Sequence, residues 1–248
     1  MITIYIPTYA GNGPEAVECV LCARQTFPEA RVVLADDYAN PMPGRFMLAC
    51  QEAGAEMVYT RWDRMRNLNG PDAVRGILSL LSFDVADEDI VIKVDPDTAI
   101  IGCSWLRPML DNPDIPFTAC GNAQQAAYGC CYALRGWVVR EVAVIMQDAP
   151  LSPICPEDVT IGRYILDHYN GSKIFCPWTQ EQWWGIFTAW RWQPTPEAYA
   201  KPSTYARRFD IVTTGNPCNS PFPSLARAAV MANLRRAAAD LPRELRRY

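Results

Sequence analysis

Two carboxylates stand one residue apart at the end of an apolar run, where Ile90-Val91-Ile92-Lys93-Val94 leads into Asp95-Pro96-Asp97-Thr98. Carboxylates at that spacing are hard oxygen donors. A cation such as Mg²⁺ or Mn²⁺ takes one or two of them and fills its shell with substrate phosphates and water. Pro96 stiffens the loop that carries both acids. Asp-Pro-Asp is also good turn chemistry, so the triplet alone leaves metal binding and a plain acidic turn both open. A second pair, Asp36-Asp37, ends the apolar run Val32-Val33-Leu34-Ala35. A third, Glu157-Asp158, follows Pro156 at the start of a helical pattern, where acids are ordinary because they face the positive end of the helix dipole.

The elements that must position these acids read as alternating strands and helices. Residues 1 to 8 form a strand ending at Pro7-Thr8-Tyr9. A Gly11-Asn12-Gly13-Pro14 turn and a helix to about Arg24 follow, and the run ending in Asp36-Asp37 completes a β-α-β unit. Met57-Val58-Tyr59 is a third strand, a helix covers about Asp72 to Leu81, and the β-branched run before Asp95 is a buried central strand. Alternation predicts a mainly parallel sheet with Asp36, Asp37, Asp95 and Asp97 along one edge, the edge where such sheets collect ligands. Farther on, Phe117 to Cys120 and Tyr128 to Leu134 are strand-like, and Gly136 to Gln147 and Pro156 to about His168 are helical. The small residues Gly129 to Cys131 would admit either a ligand near the backbone or a helix packed above it.

Composition narrows the function classes. Half of the 248 residues are apolar and one fifth charged, as in an ordinary soluble globular protein. A net charge of -4 gives no reason to expect nucleic acid. Met1 leads directly into a strand-like run, so neither a signal peptide nor a membrane span is expected, and the expected location is the cytoplasm. The ten cysteines are scattered in apolar runs and read as reduced and buried; Cys19-x-x-Cys22 has no second pair to complete a zinc site. A single histidine, His168, excludes a multi-histidine metal centre.

Five of the eight tryptophans lie between Trp178 and Trp192, with Trp183 and Trp184 adjacent. So many in one short stretch cannot all be interior, and a loop facing the substrate is favoured over a hydrophobic seam. Residues 200 to 223, rich in Pro, Ser and Thr, are expected to run irregularly over the surface. Ser224 to Tyr248 is helical in pattern, with six arginines against Asp240 and Glu244. A solvated helix is favoured there, although such a tail could touch an anionic membrane and make the protein peripheral to it.

Taken in order, these motifs resemble a GT-A-fold glycosyltransferase over about residues 1 to 170. Ile6-Pro7-Thr8-Tyr9, Asp36-Asp37 and Asp95-Pro96-Asp97 are similar to the first strand, acidic pair and metal-binding Asp-x-Asp of the large inverting family that includes cellulose, chitin and hyaluronan synthases. Gly129-Cys130-Cys131-Tyr132 and Pro156-Glu157-Asp158-Val159 resemble the glycine-rich strand and acidic motif of fringe-type enzymes. There is no Gln-x-x-Arg-Trp motif, which argues against a polymerising synthase.

The resemblance implies an α/β, Rossmann-like GT-A fold. In it a single domain over 1–222, with a nucleotide-binding half 1–100 and an acceptor half 101–222, precedes a basic helical tail 223–248. It implies a metal-dependent, inverting hexosyl- or N-acetylhexosaminyltransferase that moves a sugar from a nucleotide-sugar donor, a UDP-sugar, to a carbohydrate or glycoconjugate acceptor. Asp95 and Asp97 would hold Mn²⁺ or Mg²⁺. Pro7, Thr8, Tyr9, Asp36, Asp37 and Asp95 would bind the nucleotide, and Gly129, Trp183 and Trp184 the acceptor. Asp158 would be the general base, with Glu157 as the alternative. Two other readings stay open: a haloacid-dehalogenase-type phosphotransferase with Asp95 as nucleophile, and a nucleotide-sugar binding protein without catalysis.

Overall fold

The structure is a computed structural model describing residues 1–63, 69–119, 129–154, 156–170, 174–175, 201–214 and 223–242. Four strands build its first half: β1 (Ile2–Thr8), β2 (Arg31–Asp37), β3 (Glu56–Thr60) and β4 (Ile90–Val94). They lie parallel in the order β3-β2-β1-β4. Helices α1 (Gly13–Thr26), α2 (Gly44–Glu52) and α3 (Pro71–Leu81) connect them. Beyond β4 the sheet continues through β7 (Cys131–Arg135), which is antiparallel to β4, then β6 (Phe117–Ala119) and β8 (Ile174–Phe175). Four of these six pairings are parallel, giving the expected mixed, mainly parallel sheet.

The two faces of the sheet follow from alternation along each strand. Ile4 and Ile6 of β1, Ile90, Ile92 and Val94 of β4, and Cys131 and Ala133 of β7 join one core with α1. Tyr5, Val91, Tyr132 and Leu134 join the other, beneath α3, α5 (Gly136–Asp148) and α6 (Glu157–His168). Lys93 is in phase with Val91 and therefore belongs to the α6 face. It is the one charged residue of a strand otherwise made of Ile and Val.

Three sequence expectations change. Helix α2 was not expected; only Cys50 of its nine residues is buried, so it leaves almost no apolar stripe to read. Residues 201–214 are not an irregular surface run: α7 (Pro202–Arg208) is followed by β9 (Ile211–Thr213), and Tyr205, Phe209, Ile211 and Val212 are buried. The apolar pair Tyr205 and Phe209, four residues apart, supplies a helical contact that the surrounding Pro and Ser obscure. Strand β9 pairs antiparallel with β5 (Thr98–Ile100), directly after Asp97.

The helix after residue 223 is also no solvated tail. In α8 (Ser224–Ala239) Val230, Met231 and Leu234 are buried in the core they share with α1. Arg227 Nε is 2.8 Å from Glu15 Oε1, with both residues buried, and Arg235 Nε donates to Glu18 Oε2 at 3.1 Å. Part of the positive charge of α8 is thus neutralised inside the chain. Among the described residues no helix is long and apolar enough to cross a membrane.

Candidate active site

The loop after β4 is clamped from both sides. Asp95 N–H donates to the Cys130 carbonyl at 2.8 Å, and Thr98 N–H closes the turn onto the Asp95 carbonyl at 3.0 Å. The Asp97 carbonyl accepts from both the Thr214 N–H at 2.8 Å and its hydroxyl at 2.9 Å. Asp95 keeps a quarter of its side chain exposed, whereas Asp97 is 5% exposed. Two carboxylates are therefore held one residue apart at the carboxyl end of a central parallel strand.

Across from them α6 begins. Lys93, 3% exposed, sends its ammonium to Asp95 Oδ1 at 2.8 Å, to the Gly129 carbonyl, and to within 3.1 Å of Glu157 Oε1. Its neighbour Asp158 accepts from the Gly129 N–H at 2.6 Å on one oxygen and from the Val159 N–H at 2.9 Å on the other. Gly129 lets α6 come close: a Cβ there would lie 3.2 Å from Asp158 Oδ2 and would press on that carboxylate. Of the two options open for the small residues at 129–131, the structure places the start of α6 against Gly129. Burial, reinforced by the Glu157 charge, pushes the Asp158 carboxyl up to about 7, while Lys93 and the two amides pull it down.

At the tips of β1 and β2 the arrangement differs. Asp36 is fully buried, with one oxygen accepting from the Thr8 hydroxyl at 3.0 Å and the other from the Met42 N–H at 2.9 Å. Burial raises its pKa. Asp37, 1% exposed, accepts from the Ala39 N–H at 2.8 Å and the Asn40 amide at 3.3 Å. Both acids brace the 38–42 loop, and neither side chain is presented to solvent. Pro7 and Thr8 are buried and Tyr9 is half-buried, with its N–H on Asn12 Oδ1 at 3.1 Å.

The structure thus gathers Asp95, Asp97, Gly129, Glu157 and Asp158 at one end of the sheet, together with Lys93, which sequence reasoning passed over. A lysine inside a β-branched strand was the available signal, because lysine is almost never buried unpaired. His168 is not part of the group: it ends α6, eleven residues or roughly 16 Å along the helix from Glu157. There it is stacked on Tyr164 at 3.9 Å. Trp183 and Trp184 lie outside the described residues.

Among the described residues no three His, Cys, Asp or Glu side chains form a metal cage. Asp95 and Asp97 instead offer a two-carboxylate set, which suits a hard cation that keeps open positions for phosphate oxygens. These donors fit Mg²⁺ or Mn²⁺ brought in with a diphosphate.

No protein-family model matches the sequence, and no curated protein matches it. Solved structures do match. An active-site mutant of LgtC aligns over 98% of this chain and 98% of its own, with a TM-score of 0.50 and 12% identity. The glycosyltransferase GlyE of Streptococcus pneumoniae TIGR4 aligns over 99% of this chain and 64% of its own, at 0.55 and 9%. The bifunctional glycosyltransferase WbbM aligns over 98% of this chain and 50% of its own, at 0.55 and 10%. The chain has the GT-A fold of these glycosyltransferases.

Proposed function

We propose that the protein is a metal-dependent glycosyltransferase that moves a hexosyl or N-acetylhexosaminyl group from a UDP-sugar to an acceptor hydroxyl with inversion. The observation that carries this reading is the Asp95/Asp97 pair set against Glu157-Asp158 across one glycine, on a GT-A sheet. Asp95 and Asp97 would hold Mn²⁺ or Mg²⁺ on the donor diphosphate, and the cation supplies electrostatic stabilisation of the charge that grows on the leaving group.

Asp158 is the base. The Gly129 N–H holds one of its oxygens and the Val159 N–H the other, which fixes the direction of the carboxylate at the start of α6. A carboxyl titrating at about 7 is a strong enough base to take that proton and is largely ionised just above neutrality. The acceptor oxygen bonds to the anomeric carbon as its proton passes to Asp158 and the bond to the nucleoside diphosphate breaks. Glu157 is the lesser candidate because the Lys93 ammonium already engages it. Pro7, Thr8 and Tyr9 would bind the nucleotide, Asp36 and Asp37 would shape that pocket by holding the 38–42 loop, and Gly129, Trp183 and Trp184 would bind the acceptor.

The test is incubation with a panel of UDP-sugars and carbohydrate acceptors, the product anomer being read by proton NMR. Transfer with inverted configuration that is lost in Asp158→Asn supports the reading. A product of retained configuration would show that Asp158 is not the base, and hydrolysis of a phosphomonoester through Asp95 would favour the phosphotransferase instead.

A further inference from the structure

We propose that Lys93 is a positioning residue for the transfer step, its buried ammonium fastening the metal-binding loop and the start of α6 into one unit. Its catalytic consequence rests on the glycosyltransferase reading above. Lysine carries three hydrogens and no acceptor. Among the described residues it reaches three acceptors, each from a different segment: Asp95 Oδ1 in the loop after β4, the Gly129 carbonyl at the entry to β7, and Glu157 Oε1 in the first turn of α6. The Tyr132 ring, paired across from Lys93 on β7, lies 5.7 Å below the charge.

The connection to the base runs through a single residue. Gly129 gives its carbonyl to Lys93 and its N–H to Asp158. Lys93 thus anchors the residue whose N–H orients Asp158 while touching Asp95 at the donor end. It also compensates Glu157, which would otherwise be a poorly solvated anion beside Asp158. Facing Asp158 are Glu157, whose charge raises its pKa, Lys93 and the two backbone amides, which lower it, and Tyr132, whose buried hydroxyl has no hydrogen-bond partner among the described residues.

Lys93→Met keeps the length of the side chain and removes its charge. In the full-length protein with ¹³C-labelled aspartate carboxyls, Asp158→Asn identifies the Asp158 resonance. Titration of that resonance moves to higher pH in Lys93→Met and to lower pH in Glu157→Gln. With a nucleotide-sugar donor, kcat of Lys93→Met falls on the order of 10- to 100-fold, the scale of a misplaced general base, while donor KM stays nearly unchanged. Lys93→Arg does not restore it, because a larger planar fork does not fit a buried point charge set among acceptors in three directions.

An Asp158 titration unmoved in Lys93→Met, full rescue by Lys93→Arg, or a loss confined to KM would overturn the proposal. Lys93→Gln, read in the same way, replaces Lys93→Met should that variant fail to fold. Carboxyl titrations that move as described in a protein that transfers no sugar would keep the Lys93 unit and sink the transfer reading. Turnover with an unmoved titration would do the reverse.

Discussion

Two strand ends of this molecule carry acid pairs, and they are built for different tasks. At the tip of β2 both oxygens of Asp36 and both of Asp37 are taken by the chain's own donors, and the side chains are buried. At the end of β4 Asp95 shares one ammonium with Glu157 from α6; Asp95 stays partly open, and Asp158 beside Glu157 carries a raised pKa. An acid at a strand tip therefore says little by itself. What separates structure from chemistry is whether the fold leaves the carboxylate within reach of a ligand: Asp36 and Asp37 are buried, whereas Asp95 and Asp158 are only half-buried.

The largest effect expected from this contrast is on catalysis. Asp158→Asn lowers kcat on the order of 10²- to 10⁴-fold, the usual contribution of a general base, and leaves UDP binding in place. Steady-state kinetics beside a binding titration checks both halves. A buried charge pair belonging to neither acid pair provides a stability reference: Arg227→Met leaves Glu15 without its guanidinium and costs about 3–5 kcal/mol in urea unfolding.

Asp36→Ala strands the Thr8 hydroxyl and the Met42 amide and costs about 1–3 kcal/mol. Its folded fraction keeps turning over. A loss of turnover comparable to that of Asp158→Asn would erase the distinction between the two ends.

The smallest effect is in pH dependence. The Asp158 carboxyl titrates at about 7 in the folded chain against an ordinary 3.8, so across that window the native state holds a proton that the unfolded chain has lost. The stability this contributes is fully present below 3.8 and is lost as pH rises to about 7. Turnover rises through the same region as the base ionises. Thermal melts across pH, compared with Asp158→Asn, isolate the first effect.

Much of this was legible in the sequence. The β-branched runs ending in Asp36 and Asp95 announced parallel central strands, and Pro156-Glu157-Asp158 marked a helix start. Helix α2 and the α7-β9 segment were not legible: the first buries a single residue, and the second hides two buried aromatics among prolines and serines. Within the site, sequence could name the acids but not their surroundings. Asp36 and Asp158 look equally available in one dimension; only packing shows that Met42 and Thr8 have claimed the first, while Gly129 approaches closely enough to aim the second.

The most direct test is calorimetric titration of UDP into the wild type with Mn²⁺, then with EDTA, and into Asp97→Ala with Mn²⁺. Binding that requires both the cation and Asp97 is the predicted result. Binding of equal strength in all three titrations would contradict the assignment of the β4 end as the donor site.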